Sequence, residues 1–203
     1  MTRISTFTGS VVDFLRPDPD TIRIADIAWG LGHIARFNGQ TRTPWSVADH
    51  SVGCVRINRT DGGDPALDIH LLLHDAGEAF LGDIVGPMKA RGVYLPLQAG
   101  NAAVIEPYAS VEERMLRTIY RNLDVSWPTI QQQNDVRLID RLALQVEWVD
   151  LMEQPADWLD WPAIDGHGLP EPLYGEAGAW RWYEHVCDCL MRPTDPEIFR
   201  RVR

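Results

Sequence analysis

Apolar side chains recur at helical spacing through most of the 203-residue chain. Between Ile24 and Ala35 they stand three and four positions apart, which is typical of an amphipathic helix, and Asn38-Gly39 marks its end. Ser46 is a typical N-cap for a second helix, which ends before a loop at 59–65. The same period predicts further helices over 66–76, 107–123, 128–151 and 176–191. No alternation of strands with helices occurs, so the expected fold class is all-α.

The segments between these helices are polar or rich in glycine and proline. Residues 1–20 favour a short strand pair or an ordered arm, whereas 81–106 and 155–175 are expected to be irregular. The length suits one domain, since domains usually hold roughly 100–200 residues. We therefore expect a single domain over 1–203, with a core at about 22–151 and a C-terminal loop and helix at 152–203.

The charge balance excludes some classes of partner. The chain has 29 acidic and 19 basic residues, a formal net charge of -10, which argues against binding to long nucleic acids or to anionic membranes. No uncharged run approaches the roughly 18 residues that a membrane span needs, and the N-terminus has no signal-peptide pattern. The sparse cysteines, Cys54, Cys187 and Cys189, are typical of reduced thiols. These features predict a cytoplasmic protein.

A polar pair, His74-Asp75, interrupts the most apolar predicted helix. A charge there is costly unless it is paired or bound to a cation, and Glu78 follows on the same helical face. His50 and Asp140 likewise stand among apolar helix residues. Two histidines and two aspartates form a ligand set for a divalent ion. A hydrogen-bonded core histidine and a capping aspartate are the alternatives, and the spacing alone does not decide between them.

In this order, His50, His74-Asp75 and Asp140 resemble the motif of the HD-domain metal-dependent phosphohydrolases. The surrounding segments are similar to those of the bacterial and phage 5′-deoxynucleotidases of the YfbR/YfdR type, and to related phage dATP triphosphohydrolases. These segments are Arg36-Phe37, Ser46–Ser51, His74–Ala79, Gly82–Ile84, Pro87–Lys89 and Ile139-Asp140. The resemblance spans about residues 5–150 and implies an all-α HD-domain bundle.

The resemblance also implies a metal centre. His50, His74, Asp75 and Asp140 would bind one divalent ion, which could be manganese, cobalt, zinc or magnesium. Two neutral imidazoles and two carboxylates would leave that ion nearly neutral overall but still Lewis-acidic toward a phosphate oxygen.

Two acids have catalytic roles in the resemblance. Glu78 would orient or deprotonate the attacking water, or protonate the leaving 5′ oxygen; the alternative is an exposed helix glutamate. Asp83 would contact the sugar or the water, and it could also cap a helix that starts at Ile84.

Substrate contacts follow from the same resemblance. Arg36 would bind the phosphate through bidentate hydrogen bonds, and Lys89 would add a point charge. Phe37 would stack on the base or pack in the core. Trp45, just before the second helix, would line the pocket.

The expected reaction is metal-dependent hydrolysis of a deoxynucleoside 5′-monophosphate to deoxynucleoside and phosphate. One alternative is a triphosphohydrolase that prefers dATP and releases triphosphate; another is a nucleotide-binding protein without turnover. The expected partners are a small nucleotide and a second copy of the chain, in a dimer or larger homo-oligomer.

Overall fold

The computed structural model describes residues 2–89, 91–99, 102–152 and 166–200, and it is predominantly helical, which confirms the predicted fold class. The helices are α1 Ile24–His33, α2 Val47–Thr60, α3 Asp68–Leu73, α4 Glu78–Leu81, α5 Gly86–Lys89, α6 Tyr108–Leu123, α7 Ile130–Leu151 and α8 Glu176–Cys189. Short 3-10 turns cover Pro19–Thr21, Arg36–Gly39 and Pro65–Leu67. Among the described helices, none is long and apolar enough to cross a bilayer.

Two capping boxes fix the starts of the helices that matter most for the site. The Ser46 hydroxyl accepts a hydrogen bond from the Asp49 amide at 3.0 Å, and the Asp49 carboxylate accepts one from the Ser46 amide at 3.1 Å. Thr129 and Gln132 form the same reciprocal pair at the start of α7. Because these caps satisfy amide groups that have no partner within the helix, they set where α2 and α7 begin. The predicted N-cap at Ser46 is confirmed.

Two antiparallel hairpins accompany the helices. The first pairs β1 Arg3–Ser5 with β2 Val11–Asp13, so the predicted N-terminal strand pair is confirmed. The second pairs β3 Tyr94–Ala99 with β4 Ala102–Pro107, where an irregular segment was predicted. That prediction is wrong because backbone hydrogen bonds between the two strands stabilise them. Pro96 and the neighbouring glycines favour a loop when the sequence is considered without these pairings.

The central helix α3 is buried, as its apolar sequence predicts. Leu71, Leu72 and Leu73 have no exposed surface, and the Trp182 indole of α8 donates to the Leu72 carbonyl at 2.9 Å. Helix α8 also packs closely along α1 at Gly32, where an added Cβ would lie 2.6 Å from the Gly175 carbonyl oxygen. Helices α1, α2, α3 and α8 therefore form one core.

Helix α3 ends one residue before the His74-Asp75 pair, which differs from the uninterrupted helix predicted over 66–76. The amide of Ala76 bonds to the Leu73 carbonyl and that of Glu78 to the Asp75 carbonyl, at 3.0 and 2.9 Å. These three-residue spacings tighten the chain into turns over 74–77, after which α4 begins at Glu78. Both polar residues thus lie just beyond the C-terminal end of α3.

Residues 166–175, the described part of the loop predicted at 155–175, contain no helix or strand. The rest of that prediction, over 155–165, falls outside the described residues.

Candidate metal centre

Three helices bring the predicted metal ligands together. Helix α2 carries His50 one turn after its capping box, the turn after α3 carries His74 and Asp75, and α7 carries Asp140. Residues 24 to 90 positions apart in the sequence therefore meet at one point because α2, α3 and α7 pack against one another.

The donor atoms lie at spacings that suit a single ion. The Nε2 atom of His50 lies 3.3 Å from His74 Nε2 and 3.1 Å from Asp140 Oδ1, and His74 Nε2 lies 3.2 Å from Asp75 Oδ2. The remaining imidazole–carboxylate distances, His50 to Asp75 and His74 to Asp140, are both 3.8 Å. Adjacent donors bound to one ion at about 2.1 Å are about 3.0–3.4 Å apart. The arrangement fits the predicted ligand set.

A fifth donor, Cys54, belongs to the same group but is absent from the predicted set. Its Sγ lies 3.6 Å from His50 Nε2, and one donor atom from each of His50, Cys54 and His74 lies within 4.8 Å of the others. These three residues could hold a metal ion. The signal was available in the sequence, since Cys54 stands four positions after His50 and so shares its helical face.

Each imidazole is oriented by a hydrogen bond at its other nitrogen. His74 Nδ1 lies 2.7 Å from the Leu71 carbonyl oxygen and His50 Nδ1 lies 2.6 Å from Glu147 Oε1. Because both partners are acceptors, each Nδ1 carries a proton and each Nε2 points toward the cluster. An ion that displaced the protons from the Nε2 atoms would therefore meet imidazoles already oriented for ligation.

Glu147 is a second residue that the sequence reasoning missed. It is fully buried, and besides His50 it accepts hydrogen bonds from Trp45 Nε1 at 2.8 Å and Arg36 Nε at 3.1 Å. A buried carboxylate is stable only with such partners. It stands seven residues after Asp140, two turns along α7, which places both residues on one helical face.

The predicted role of Trp45 as a pocket-lining residue needs correction. Its side chain has no exposed surface, so it offers no face on which a substrate base could stack. Its indole instead holds the Glu147 carboxylate that orients His50.

Arg36 and Phe37 lie beside the cluster in a turn. Arg36 Nη1 is 3.7 Å from Asp75 Oδ2, so the guanidinium borders the donor set. Phe37 has the left-handed φ of 54°, and its ring meets the edge of Trp148 at a centroid distance of 5.9 Å. The structure thus places both beside the centre; base stacking by Phe37 stays a prediction.

The ammonium group of Lys89 contacts the carboxyl group of Glu78 at the rim of the centre. Lys89 Nζ donates to Glu78 Oε1 at 2.8 Å and to Glu112 Oε1 at 3.0 Å. The second oxygen of Glu78, Oε2, is buried and has no hydrogen-bond partner in the described part of the chain. Burial, helped by the charge of Asp75 and opposed by the Lys89 ammonium, raises the pKa of Glu78 to about 8. Glu78 is therefore not the exposed helix glutamate of the alternative.

Asp83 lies in the extended segment between α4 and α5. Burial raises the pKa of Asp83, and the positive charges of Arg36 and Lys89 oppose the shift, so it shares the field of the cluster. Helix α5 begins only at Gly86, so the alternative role of Asp83 as the cap of a helix from Ile84 is not realised.

The field of the centre favours a cation. Burial lowers the pKa of His74, but the Asp75 and Asp140 carboxylates outweigh it and raise the pKa to about 10. Burial raises the pKa of Asp75, yet His74, His50 and Arg36 together hold it well below its usual range. The carboxylates are therefore ionised and the imidazoles sit in a negative field, which is the setting that a divalent ion requires.

A cleft of about 470 Å³ opens onto the cluster, with His74, Asp75 and Asp140 in its wall and Lys89 beside them. Tyr120 and Trp127 supply aromatic surface farther along. A second cavity of about 970 Å³ lies elsewhere and contains none of the predicted site residues. The smaller cleft is the candidate substrate site, because it has the reactive groups.

Comparison with known proteins finds relatives without an assigned activity. No protein-family model matches the chain. An uncharacterized protein of Rhodobacter capsulatus is 33% identical over 173 residues, which cover 82% of this chain and 79% of that protein. The uncharacterized protein YfdR of Escherichia coli is 28% identical over 166 residues, 82% of this chain and 80% of YfdR.

Proposed function

The chain belongs to the family of the uncharacterized Rhodobacter capsulatus protein, and we propose that it is a metal-dependent phosphohydrolase of the HD-domain type, cleaving the 5′ phosphate of deoxynucleotides. One observation carries the proposal: the side chains of His50, His74, Asp75 and Asp140 converge at one point, and the last three line the wall of a cleft. The sequence motifs around them supply the reaction class.

The four ligand residues have two roles in binding the ion. With an ion bound in place of their Nε2 protons, the imidazoles of His50 and His74 would offer their Nε2 atoms, and Asp75 and Asp140 would supply negative charge. When bound, a divalent ion polarises a phosphate oxygen and lowers the pKa of water. The buried partner of His50, Glu147, keeps that imidazole in place without a search among rotamers.

Arg36 binds the substrate phosphate in this proposal. Glu147 fixes its Nε atom, so the planar guanidinium is already oriented before substrate arrives. A pre-oriented guanidinium can form paired hydrogen bonds to two phosphate oxygens and offset the charge that develops on them.

Glu78 is the proton donor to the leaving 5′ oxygen in this proposal. Its raised pKa means that it can hold a proton near neutral pH, and its unpartnered Oε2 is the atom that would give this proton to the leaving 5′ oxygen. Lys89 holds the other oxygen, Oε1, and so fixes the rotation of the carboxyl group. Lys89 is also close enough to the cleft to contact a phosphate.

The cleft suits a small nucleotide as the partner. Its volume lies within the range of roughly 300–1,000 Å³ for small-molecule sites, and Tyr120 and Trp127 offer aromatic surface for a base. The net charge of -10 disfavours long nucleic acids and anionic membranes, whereas a single phosphate would meet the ion and Arg36 locally. The proposal retains a homo-oligomer, which sedimentation of the purified chain would test.

A product assay tests the proposal. Chelator-treated protein is reloaded with manganese, cobalt, zinc or magnesium and given dAMP, dATP, their ribose counterparts and the other deoxynucleotides. Metal-dependent release of inorganic phosphate from a deoxynucleoside monophosphate is the expected result. Intact triphosphate from dATP would identify the triphosphohydrolase alternative, and tight binding without hydrolysis with any of the four ions would overturn the proposed activity.

A further inference from the structure

The thiol of Cys54 lies inside the candidate metal centre and has no role in the proposed reaction. The side chain is fully buried on α2, and its Sγ lies 3.6 Å from the His50 nitrogen that faces the cluster. The other cysteines, Cys187 and Cys189, lie on α8, and Cys189 borders the separate 970 Å³ cavity. Cys54 is thus the cysteine positioned to meet an ion.

The spacing of sulfur and nitrogen matches direct coordination. Around a tetrahedral zinc ion, with Zn–N of about 2.0–2.1 Å and Zn–S of about 2.3 Å, two nitrogens lie about 3.3–3.4 Å apart, and a nitrogen and a sulfur about 3.5–3.6 Å apart. The corresponding distances here are 3.3 Å between the His50 and His74 nitrogens and 3.6 Å from His50 to Cys54.

Hydrogen bonding alone does not explain this crowding. Because His50 Nδ1 donates to Glu147, its Nε2 can take part in only one strong hydrogen bond, as donor or as acceptor. Yet His74 Nε2, Asp140 Oδ1 and Cys54 Sγ all lie within 3.6 Å of it. A proton on Nε2 that is donated to the Asp140 carboxylate leaves the His74 nitrogen and the Cys54 sulfur without a bond to His50, whereas a shared cation would contact all of them.

We propose that the Cys54 thiolate is a direct ligand of the metal centre and makes it selective for a thiophilic ion, zinc or cobalt, over magnesium. This rests on the proposed metal centre. Thiolate sulfur is a soft ligand that favours zinc and related ions, whereas magnesium takes oxygen. The thiol releases its proton to solvent on binding. The nearby Arg36 guanidinium offsets the added negative charge.

Cobalt spectroscopy tests the ligand directly. A thiolate bound to Co²⁺ gives a sulfur-to-metal charge-transfer band in the near ultraviolet, separate from the visible d–d bands that any cobalt complex shows. We expect this band in the wild-type chain and in Cys189→Ser, the matched control, and its loss in Cys54→Ser. Loss of a residue that only orients a ligand costs about 10–100-fold in metal affinity. Loss of a direct ligand should cost at least as much, so we expect Cys54→Ser to weaken zinc binding by about tenfold or more, with magnesium binding little changed.

The outcomes separate this inference from the proposed function. Cobalt d–d bands with no charge-transfer band in the wild type would overturn the thiolate ligand and leave the phosphohydrolase proposal standing. Equal loss of zinc and magnesium affinity in Cys54→Ser would also overturn the selectivity. If that variant does not fold, X-ray absorption of the zinc-loaded wild type decides: a sulfur neighbour at about 2.3 Å supports the ligand, and a shell of nitrogen and oxygen alone refutes it.

Discussion

Two cavities border helix α3, and they differ in what surrounds them. Ile69 and Leu72 face the larger one, of about 970 Å³, while His70 and the following His74 face the smaller cleft of about 470 Å³. Despite this difference in volume, the predicted catalytic and ligand residues border the smaller cleft or lie beside it.

The charges of the two cavities are also arranged differently. Two arginines that line the larger cavity each bond to one buried acid behind it: Arg59 bonds to Asp68, and Arg181 bonds to Asp49. Asp49 caps α2 and Asp68 starts α3, so these pairs stabilise the fold. In the smaller cleft, by contrast, each carboxylate and imidazole contacts several of the others instead of having one partner of its own, an arrangement that we call pooled charge. This pooled charge, in contrast to the paired charges beside the larger cavity, marks the smaller cleft as the candidate site of chemistry, although its volume is smaller.

The strongest test of this difference removes a ligand from the smaller cleft. Asp75→Asn and His74→Ala should each abolish metal retention and turnover, because each removes a donor and disturbs the charge balance of the rest. Metal content after dialysis and phosphate release measure the two effects. Asp188→Asn, a charge removal of the same kind beside the larger cavity, is the control and should change neither. Wild-type turnover in Asp75→Asn after chelation and metal return would refute the ligand assignment.

Replacing Glu78 should separate catalysis from metal binding. Glu78→Gln retains the shape and removes the proton donor, so we expect normal metal content and a rate lower by about 10²–10⁴-fold. Since the pKa of Glu78 is raised to about 8, the acid form is present below that pH and lost above it. The wild-type kcat/KM should therefore fall above about pH 8, and Glu78→Gln should lack that limb. An unchanged rate in the variant would exclude the acid–base role.

Much of the fold is readable from local sequence. The capping box at Ser46, the period of α1 and the apolar run of α3 each depend on neighbours within one or two turns, so the helix positions follow from the sequence. The β3–β4 hairpin depends on pairing across strands, which a helical or alternating period does not reveal.

The candidate site likewise contains residues that the sequence predicts and residues that it does not. The His74-Asp75 pair is conspicuous because it ends an apolar run, and the ligand set follows from the family resemblance. Glu147 stands between apolar residues in the sequence of a long helix, and its one local signal is the spacing of two turns from Asp140. Its role depends on His50 and Arg36, 97 and 111 positions away in sequence, which only the packing of α2 and α7 brings close.

A weaker effect is expected from that positioning residue. Glu147→Gln should reduce metal affinity by about 10–100-fold, because an amide holds the His50 imidazole less firmly than a carboxylate does. Calorimetric titration with zinc measures the loss, and the nitrogen chemical shifts of His50 report any change of tautomer. Asp150→Asn, an exposed acid one turn farther along α7, is the control. Unchanged affinity and unchanged shifts would show that Glu147 only fills space.

The smallest effect on catalysis should come from a substitution beside the larger cavity, which should change the stability of the fold and leave metal binding and turnover unchanged. Arg59→Ala leaves the fully buried Asp68 without its cation, although Asn58 Nδ2 still donates to it at 2.8 Å. Because Arg59 is largely exposed, we expect the free energy of unfolding to fall by only about 1–3 kcal/mol, measured by urea denaturation. Metal affinity and kcat/KM should stay within about twofold of wild type, since no ligand is touched. A tenfold loss of turnover in a folded Arg59→Ala protein would mean that the two cavities act together, and the distinction between pooled and paired charge would fail.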